Sequence, residues 1–264
     1  MVSPTVVRVA ARDGRHLALH ILGDEPRILL VHGATATAST WKRLMPELAA
    51  VGKSSAAIDL RGHGHSSGAE ELQKFVIDDY VEDVVHALNA FPSIETLVGH
   101  SMGGLVSQLA ASQSNLSSLV LVASSPVNGM RKDGVRMACK HPWTFLRAGL
   151  TNSFRSLYRS RRVTRSLLFH QNSEDQLVTD FMNECQEESW RAGNQMKTYL
   201  PNPSLVRCPV RIIAGSDDFM VCRKSSCDTA NAYGTELKVL EGCGHMVPYE
   251  ADQKTLARLI LNDA

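Results

Sequence analysis

Val98-Gly99-His100-Ser101-Met102-Gly103-Gly104 sets one serine among glycines, directly behind the apolar run Thr96-Leu97-Val98. A buried strand that ends this way either needs pliable residues for a tight turn or presents the serine as a nucleophile. The apolar run is short and unbroken, and residues 102–113 suit a helix, so the stretch reads as strand, turn and helix. Working outward, RILLVHG at 27–33, SSAAIDL at 54–60, SLVLVAS at 118–124, PVRIIAG at 209–215 and ELKVLEG at 236–242 share that short apolar character. Each reads as a strand, and the unbroken run RILLVHG suits one buried on both faces. Helices are expected between them, at 40–50, 75–91, around 224–232 and at 252–261. In the second of these Ile77, Tyr80, Val81, Val84, Val85, Leu88 and Phe91 recur at three and four. Strand and helix in alternation predict an α/β fold, with a mostly parallel central sheet covered by helices on both faces.

The alternation stops after Pro126 and resumes with PVRIIAG. Residues 1–125 and 207–264 are therefore expected to form the core, and 126–206 a helical cap inserted over the sheet's edge. At the other end of the chain TVVRVA and HLALHIL flank Asp13-Gly14 as the strands of a hairpin would. The 264 residues are 44% hydrophobic and 21% charged, with a net charge of +1. That balance suits a globular chain with a sizeable core and gives no global attraction to nucleic acid. No apolar run approaches the roughly 18 residues of a bilayer span, and MVSPTVVRVA lacks a signal peptide's apolar core, so a cytoplasmic location is the expectation. The six cysteines show neither a CxxC pair nor zinc-site spacing and read as free thiols. Cys243 is set apart because it stands two residues from His245.

In an open parallel sheet function gathers at the carboxyl ends of the strands. Gly99-His100-Ser101-Met102-Gly103 fits Gly-x-Ser-x-Gly between strand and helix, with the helix N-terminus aimed at any developing negative charge. A serine hydroxyl needs a base, and of ten histidines His245 is the best placed, in a flexible loop after the last strand. His100 sits beside the serine but is expected to point away, and His32, His63 and His65 lie in loops near the site. The histidine needs an acid to fix its tautomer. Asp217-Asp218 follows PVRIIAG in the right chain order, and Asp218 is preferred because Asp217 can serve as a turn or capping residue. The backbone N–H groups of Met102 and of Ala34, just past His32-Gly33, are the expected donors to an oxyanion.

With VHGATATAST, DLRGHGHSSG, LVGHSMGG, IIAGSDDFMV and EGCGHMVPYE in order, the chain resembles the α/β-hydrolases of the lipase, esterase and lysophospholipase-like group. The likeness covers nearly everything outside the cap. It implies a nucleophile at Ser101, an acid at Asp218, a base at His245, an oxyanion pair at Ala34 and Met102, and no cofactor. The similar loop in many relatives ends in proline where Cys222 stands here. The family's haloalkane and epoxide branches use an aspartate nucleophile, which Ser101 argues against.

The cap is charge-segregated: residues 131–165 carry ten basic residues and one acid, Asp133, while 174–188 carry six acids and no base. Two solvated helix faces pairing with each other explain this, and so does an anion-attracting rim suited to a coenzyme A thioester, an anionic ester or peripheral contact with an anionic membrane. His32, Gly33, Met130, Trp143 and Met246 are the expected substrate neighbours. The expected function is hydrolysis of a small-molecule carboxylic ester or thioester through an acyl-enzyme, by a monomer or homodimer. Acyl transfer, carbon–carbon hydrolysis or lyase chemistry on the same fold is the first alternative, and a ligand-binding receptor with a retained triad the second. Competing acceptors in a product screen separate the first, and stoichiometric binding without turnover marks the second.

Overall fold

The computed structural model describes residues 3–11 and 14–262. Asp13 of the expected hairpin turn lies outside them; the hairpin's strands, β1 (Thr5–Ala10) and β2 (His16–Leu22), pair antiparallel. The remaining strands are β3 (Ile28–Val31), β4 (Ser55–Asp59), β5 (Thr96–His100), β6 (Ser118–Val122), β7 (Val210–Gly215) and β8 (Leu237–Leu240). All eight join one sheet in the order β1-β2-β4-β3-β5-β6-β7-β8. β2 meets β4 antiparallel, and from β4 to β8 every pairing is parallel.

The central strands β3, β4, β5 and β6 are buried on both faces, whereas β7 is half-buried at its start and the edge strand β8 is half-buried or exposed along its length. Leu29 and Val31 join Tyr80 and Val84 of α2 (Ile77–Ala90) and Leu105 of α3 (Met102–Ala111). Ile28 and Leu30 turn the other way, toward Trp41, Leu48 of α1 (Met45–Ala50) and Leu256 of α11 (Gln253–Leu261). The period of two along a strand sends neighbours to opposite cores, and each fully buried Leu, Ile or Val contributes about 1.5–3 kcal/mol.

The continuous helix expected over 40–50 is split. A short 3-10 turn at Ala38–Trp41 is capped by Thr37, whose hydroxyl accepts from Ser39 N–H, and α1 begins only at Met45. Pro46 stands in the first turn of α1 and has no N–H to bond back to residue 42, so the helix restarts there.

Between β6 and β7 run α4 (Arg131–Lys140), α5 (Pro142–Thr151), α6 (Arg161–Leu168), α7 (Asp175–Glu184) and α8 (Trp190–Gln195). Their apolar sides form a third cluster, in which Met137, Leu157, Leu167 and Phe181 meet Val221, Met246 and Tyr249 from loops beyond β7 and β8. A buried carboxylate adds a tie: Asp133 accepts from Cys222 N–H at 3.1 Å, Ser225 Oγ at 2.7 Å and Arg136 at 2.9 Å. α9 (Arg223–Ala232) and α10 (Val247–Glu250) follow β7 and β8. The helices thus sit over the carboxyl ends of β3, β5, β7 and β8, where the loops carrying Ala34, Ser101, Asp218 and His245 emerge.

Candidate active site

Ser101 joins β5 to α3 at φ 52°, ψ −119°, a left-handed backbone that costs a non-glycine residue about 1–3 kcal/mol. The surroundings hold it there: its N–H donates to Val122 O at 3.1 Å, and its carbonyl accepts from Gly104 N–H at 2.9 Å and Ser125 N–H at 3.0 Å. A Cβ on Gly99 would stand 2.4 Å from Gly103 O, and one on Gly103 2.2 Å from His32 O. The glycines are therefore required by close approach of backbone, which settles why the motif carries them.

Ser101 Oγ lies 2.8 Å from His245 Nε2, and His245 Nδ1 lies 2.9 Å from Asp218 Oδ2. All three residues are buried. Asp218 Oδ1 accepts from Val221 N–H at 2.9 Å, which fixes the carboxylate. Asp217 is half exposed and accepts from its neighbour Ser216 Oγ, so of the two acids only Asp218 reaches the histidine.

His100 is buried beside Ser101 at the cavity wall and has a task of its own. Burial, with His245 nearby, lowers its pKa to about 3, so the ring is neutral. Its Nε2–H donates to His245 O at 3.0 Å and braces the backbone there. His32, expected against substrate, is instead a brace for the β3 end. Its Nδ1–H donates to Gly33 O at 2.8 Å, its Nε2 accepts from Leu60 N–H at 3.1 Å, and burial lowers its pKa to about 4. Both ring nitrogens are spent, and His32 is absent from the cavity wall.

The loop after β3 is shaped by the helical insertion. Thr35, next to Ala34, has φ 61°, unusual for a β-branched residue. Gln186 N–H donates to Thr35 O at 2.8 Å, and Thr35 N–H donates to Glu188 Oε2 at 3.3 Å. Glu188 is fully buried; its other oxygen accepts from Tyr80 Oη at 2.6 Å and Ser189 N–H at 2.7 Å, and His63 Nε2 stands 3.3 Å from Oε2. Burial opposes charge on both partners, yet the Glu188 charge holds the His63 pKa above its ordinary value, and His63 with the surrounding donors holds Glu188 below its own. Met102 N–H is in the first turn of α3, where no intrahelical acceptor exists. Ala34 and Met102 thus flank Ser101, with the Ala34 side held by a residue more than 150 positions away.

A cavity of about 440 Å³ opens over Ser101 and His245. Gly33, Met130 and Met246, three of the expected substrate neighbours, line it, together with Ala34, Phe145, Leu157, Phe181 and Trp190. Trp143 does not: it is 79% exposed, because the stripe 143, 146, 147, 150 of α5 faces away from the cluster that buries Ala148. Cys243 is buried, and burial with the Glu250 charge raises its thiol to about 12, so it packs and does not react. Among the described residues no three His, Cys, Asp or Glu side chains gather as metal ligands would. Sequence reading missed Thr35, Gln186 and Glu188 because their partners lie far along the chain and no local motif carries them.

A family model described as alpha/beta hydrolase family matches residues 28–259. The chain belongs to that family. It is 36% identical over 127 residues to an esterase of Mycobacterium tuberculosis, a match covering 47% of this chain and 40% of that protein. It is 29% identical over 99 residues to the bifunctional epoxide hydrolase 2 of Sus scrofa, covering 37% of this chain and 18% of that protein. The matches thus span well under half of these relatives' lengths. Among solved structures, an esterase from Thermogutta terrifontis superposes with a TM-score of 0.75 at 19% identity, over 98% of this chain and 97% of that one. A bromoperoxidase from Bacillus anthracis superposes at 0.79 with 16% identity, over 98% and 100%. These likenesses establish the fold.

Proposed function

We propose that the chain is a serine hydrolase that cleaves a carboxylic ester or thioester through an acyl-enzyme on Ser101. The observation that carries this reading is the continuous line of contacts from Ser101 Oγ to His245 Nε2 at 2.8 Å and from His245 Nδ1 to Asp218 at 2.9 Å. Ser101 Oγ attacks the carbonyl carbon while its proton passes to His245 Nε2, and Asp218 stabilises the imidazolium. The carbonyl oxygen, now an oxyanion, accepts from the N–H groups of Ala34 and Met102. Collapse expels the alcohol or thiol, which takes the proton from His245. Water deprotonated by His245 then attacks the acyl-enzyme and releases the acid and Ser101. The largely apolar cavity receives the acyl part, and residues 126–206 act as the cap that closes over it.

The esterase and epoxide hydrolase relatives point to different electrophiles, and the nucleophile chooses between them. A carboxylate that opens an epoxide leaves an ester, which water can cleave. Serine attack would leave an ether, which a histidine-activated water does not cleave, so Ser101 favours the acyl substrate.

Mass-spectrometric labelling with a fluorophosphonate tests the reading. Labelling at Ser101 in the wild-type chain, lost in Ser101→Ala and in His245→Ala, is the expected result. A folded wild-type chain that hydrolyses acyl esters while Ser101→Ala keeps full turnover overturns it.

A further inference from the structure

We propose that the outward face of α4 and α5 docks on an anionic phospholipid membrane and holds the mouth of the Ser101 cavity against the lipid. The apolar part of the face is a stripe on α5: Trp143 is 79%, Leu146 53% and Leu150 78% exposed. The spacing of three and seven puts all three on one side of the helix, with Arg147 among them. A tryptophan and two leucines at that exposure are the inverse of an ordinary surface helix, whose outer stripe is polar.

The charge around the stripe is unspent. Of the ten basic residues between 131 and 165, only Arg161 and Arg165 pair with the acidic run 174–188, both through Asp175. Of that run Glu188 is buried and bonds Tyr80, and half-buried Glu184 bonds Ser39 and Tyr249, while Glu174 and Asp175 are exposed. Asp133 is buried in its tie to Cys222, Ser225 and Arg136. Arg131, Lys132, Arg147, Arg155, Arg159 and Arg162 have no carboxylate at ion-pair distance among the described residues. The two faces that sequence alone could set against each other are thus mostly unpaired, and the basic one is left to solvent.

The cavity reaches this face. Arg131 and Val135 of α4 and Gly149 of α5 line it and are exposed, Val135 at 60%. An occupant must satisfy cations and bury Trp and Leu side by side. A second copy in a two-fold contact would set the same unpaired cations against each other. A nucleic acid backbone supplies phosphates but no apolar bed for Leu146 and Leu150. An anionic bilayer surface supplies headgroup phosphates and an acyl boundary a few ångströms apart, the layer in which tryptophan settles.

Docking does not depend on the reaction proposed above, and it is measured on the Ser101→Ala chain so that no lipid is turned over. The readouts are sedimentation with phosphatidylcholine vesicles, with and without phosphatidylserine, and the tryptophan emission of the chain against Trp143→Phe. Expected are binding that requires phosphatidylserine, a blue shift that is lost in Trp143→Phe, and partitioning about tenfold weaker in Arg147→Glu and in the double variant Trp143→Ala, Leu150→Ala. The substituted residues are exposed, and an unchanged circular dichroism spectrum shows that the variants are folded. Absence of binding to the phosphatidylserine vesicles, or equal binding by wild type and variants, overturns the proposal. Self-association in solution that Leu150→Ala abolishes, with no vesicle binding, overturns it in favour of a second copy.

Discussion

The outbound and return legs of the inserted helices are attached in different ways. On the outbound leg, α4 to α6, the inner sides rest on the shared apolar cluster, with polar ties to the core from Asp133 to Cys222 and Ser225, from Arg136 to Phe219 O and between Leu168 O and Met246 N–H. The return leg from Glu184 to Gln195 is bonded at nearly every step. Glu184 meets Ser39 and Tyr249, Gln186 meets Thr35 and Gly64, and Glu188 meets Thr35 and Tyr80. Ser189 Oγ donates to Phe75 O at 2.6 Å, and Gln195 Oε1 accepts from Ile77 N–H at 2.8 Å. One leg shapes the loop after β3 while the other presents a surface, although both belong to the same insertion.

Glu188→Ala cuts deepest into this contrast. It strands His63 and the Thr35 and Tyr80 donors in a dry site, and about 3–5 kcal/mol of stability is expected to go with it. Glu188→Gln keeps an acceptor and should fold better, while kcat falls about tenfold or more with little change in KM if the Ala34 N–H is the oxyanion donor proposed above, because its loop loosens. Denaturant unfolding and steady-state kinetics on a short acyl ester measure both, and a wild-type kcat in the folded Gln variant would detach Glu188 from the loop.

The same pair sets a pH window. The raised pKa of His63 stabilises the fold fully below the imidazole's ordinary value of 6.5, and that contribution fades as pH climbs through the raised value. The lowered pKa of Glu188 stabilises above its ordinary 4.5 and fades as pH falls through the depressed value. The difference in Tm between wild type and His63→Gln should accordingly be greatest between these two ordinary values and shrink toward alkaline pH. A difference that stays unchanged from that window up to alkaline pH would mean that His63 is not charged.

Gln186→Ala removes only the acceptor for Gly64 N–H and leaves the Gln186 N–H bond to Thr35 in place. About 1 kcal/mol is expected in chemical denaturation, with kcat close to wild type. The smallest effect belongs to the outbound leg: Trp143→Ala should change stability by no more than about 0.5 kcal/mol and leave kcat/KM on a water-soluble ester unchanged. A large loss there would bring α5 into the site and erase the contrast.

What was legible from sequence follows the range of the interactions. Apolar runs such as RILLVHG announce doubly buried strands, and the serine, acid and histidine each stand at a strand's end, so the fold and the three convergent side chains could be read locally. Trp143 departs from the expected place beside substrate because an aromatic on an inserted helix is read as facing inward until its stripe is placed against a neighbour. His32 was misjudged because a histidine at a strand end looks free until the Leu60 N–H reaches it. The Thr35 tie to Gln186 and Glu188 was out of reach for a further reason: backbone groups and a single glutamate leave no pattern in a chain.

The tie between Cys222 and Asp133 makes two positions answerable to each other in descent. Proline, which the resemblance described above implies at the corresponding place in similar loops, has no N–H to offer the Asp133 carboxylate. A lineage that gained the acid while proline still stood at 222 would carry a buried carboxylate short of one donor, so losing the proline first is the easier order of change. The same dependence follows the helices into any chimera: transplanted onto another sheet, they work best in a host that has already given up that ring.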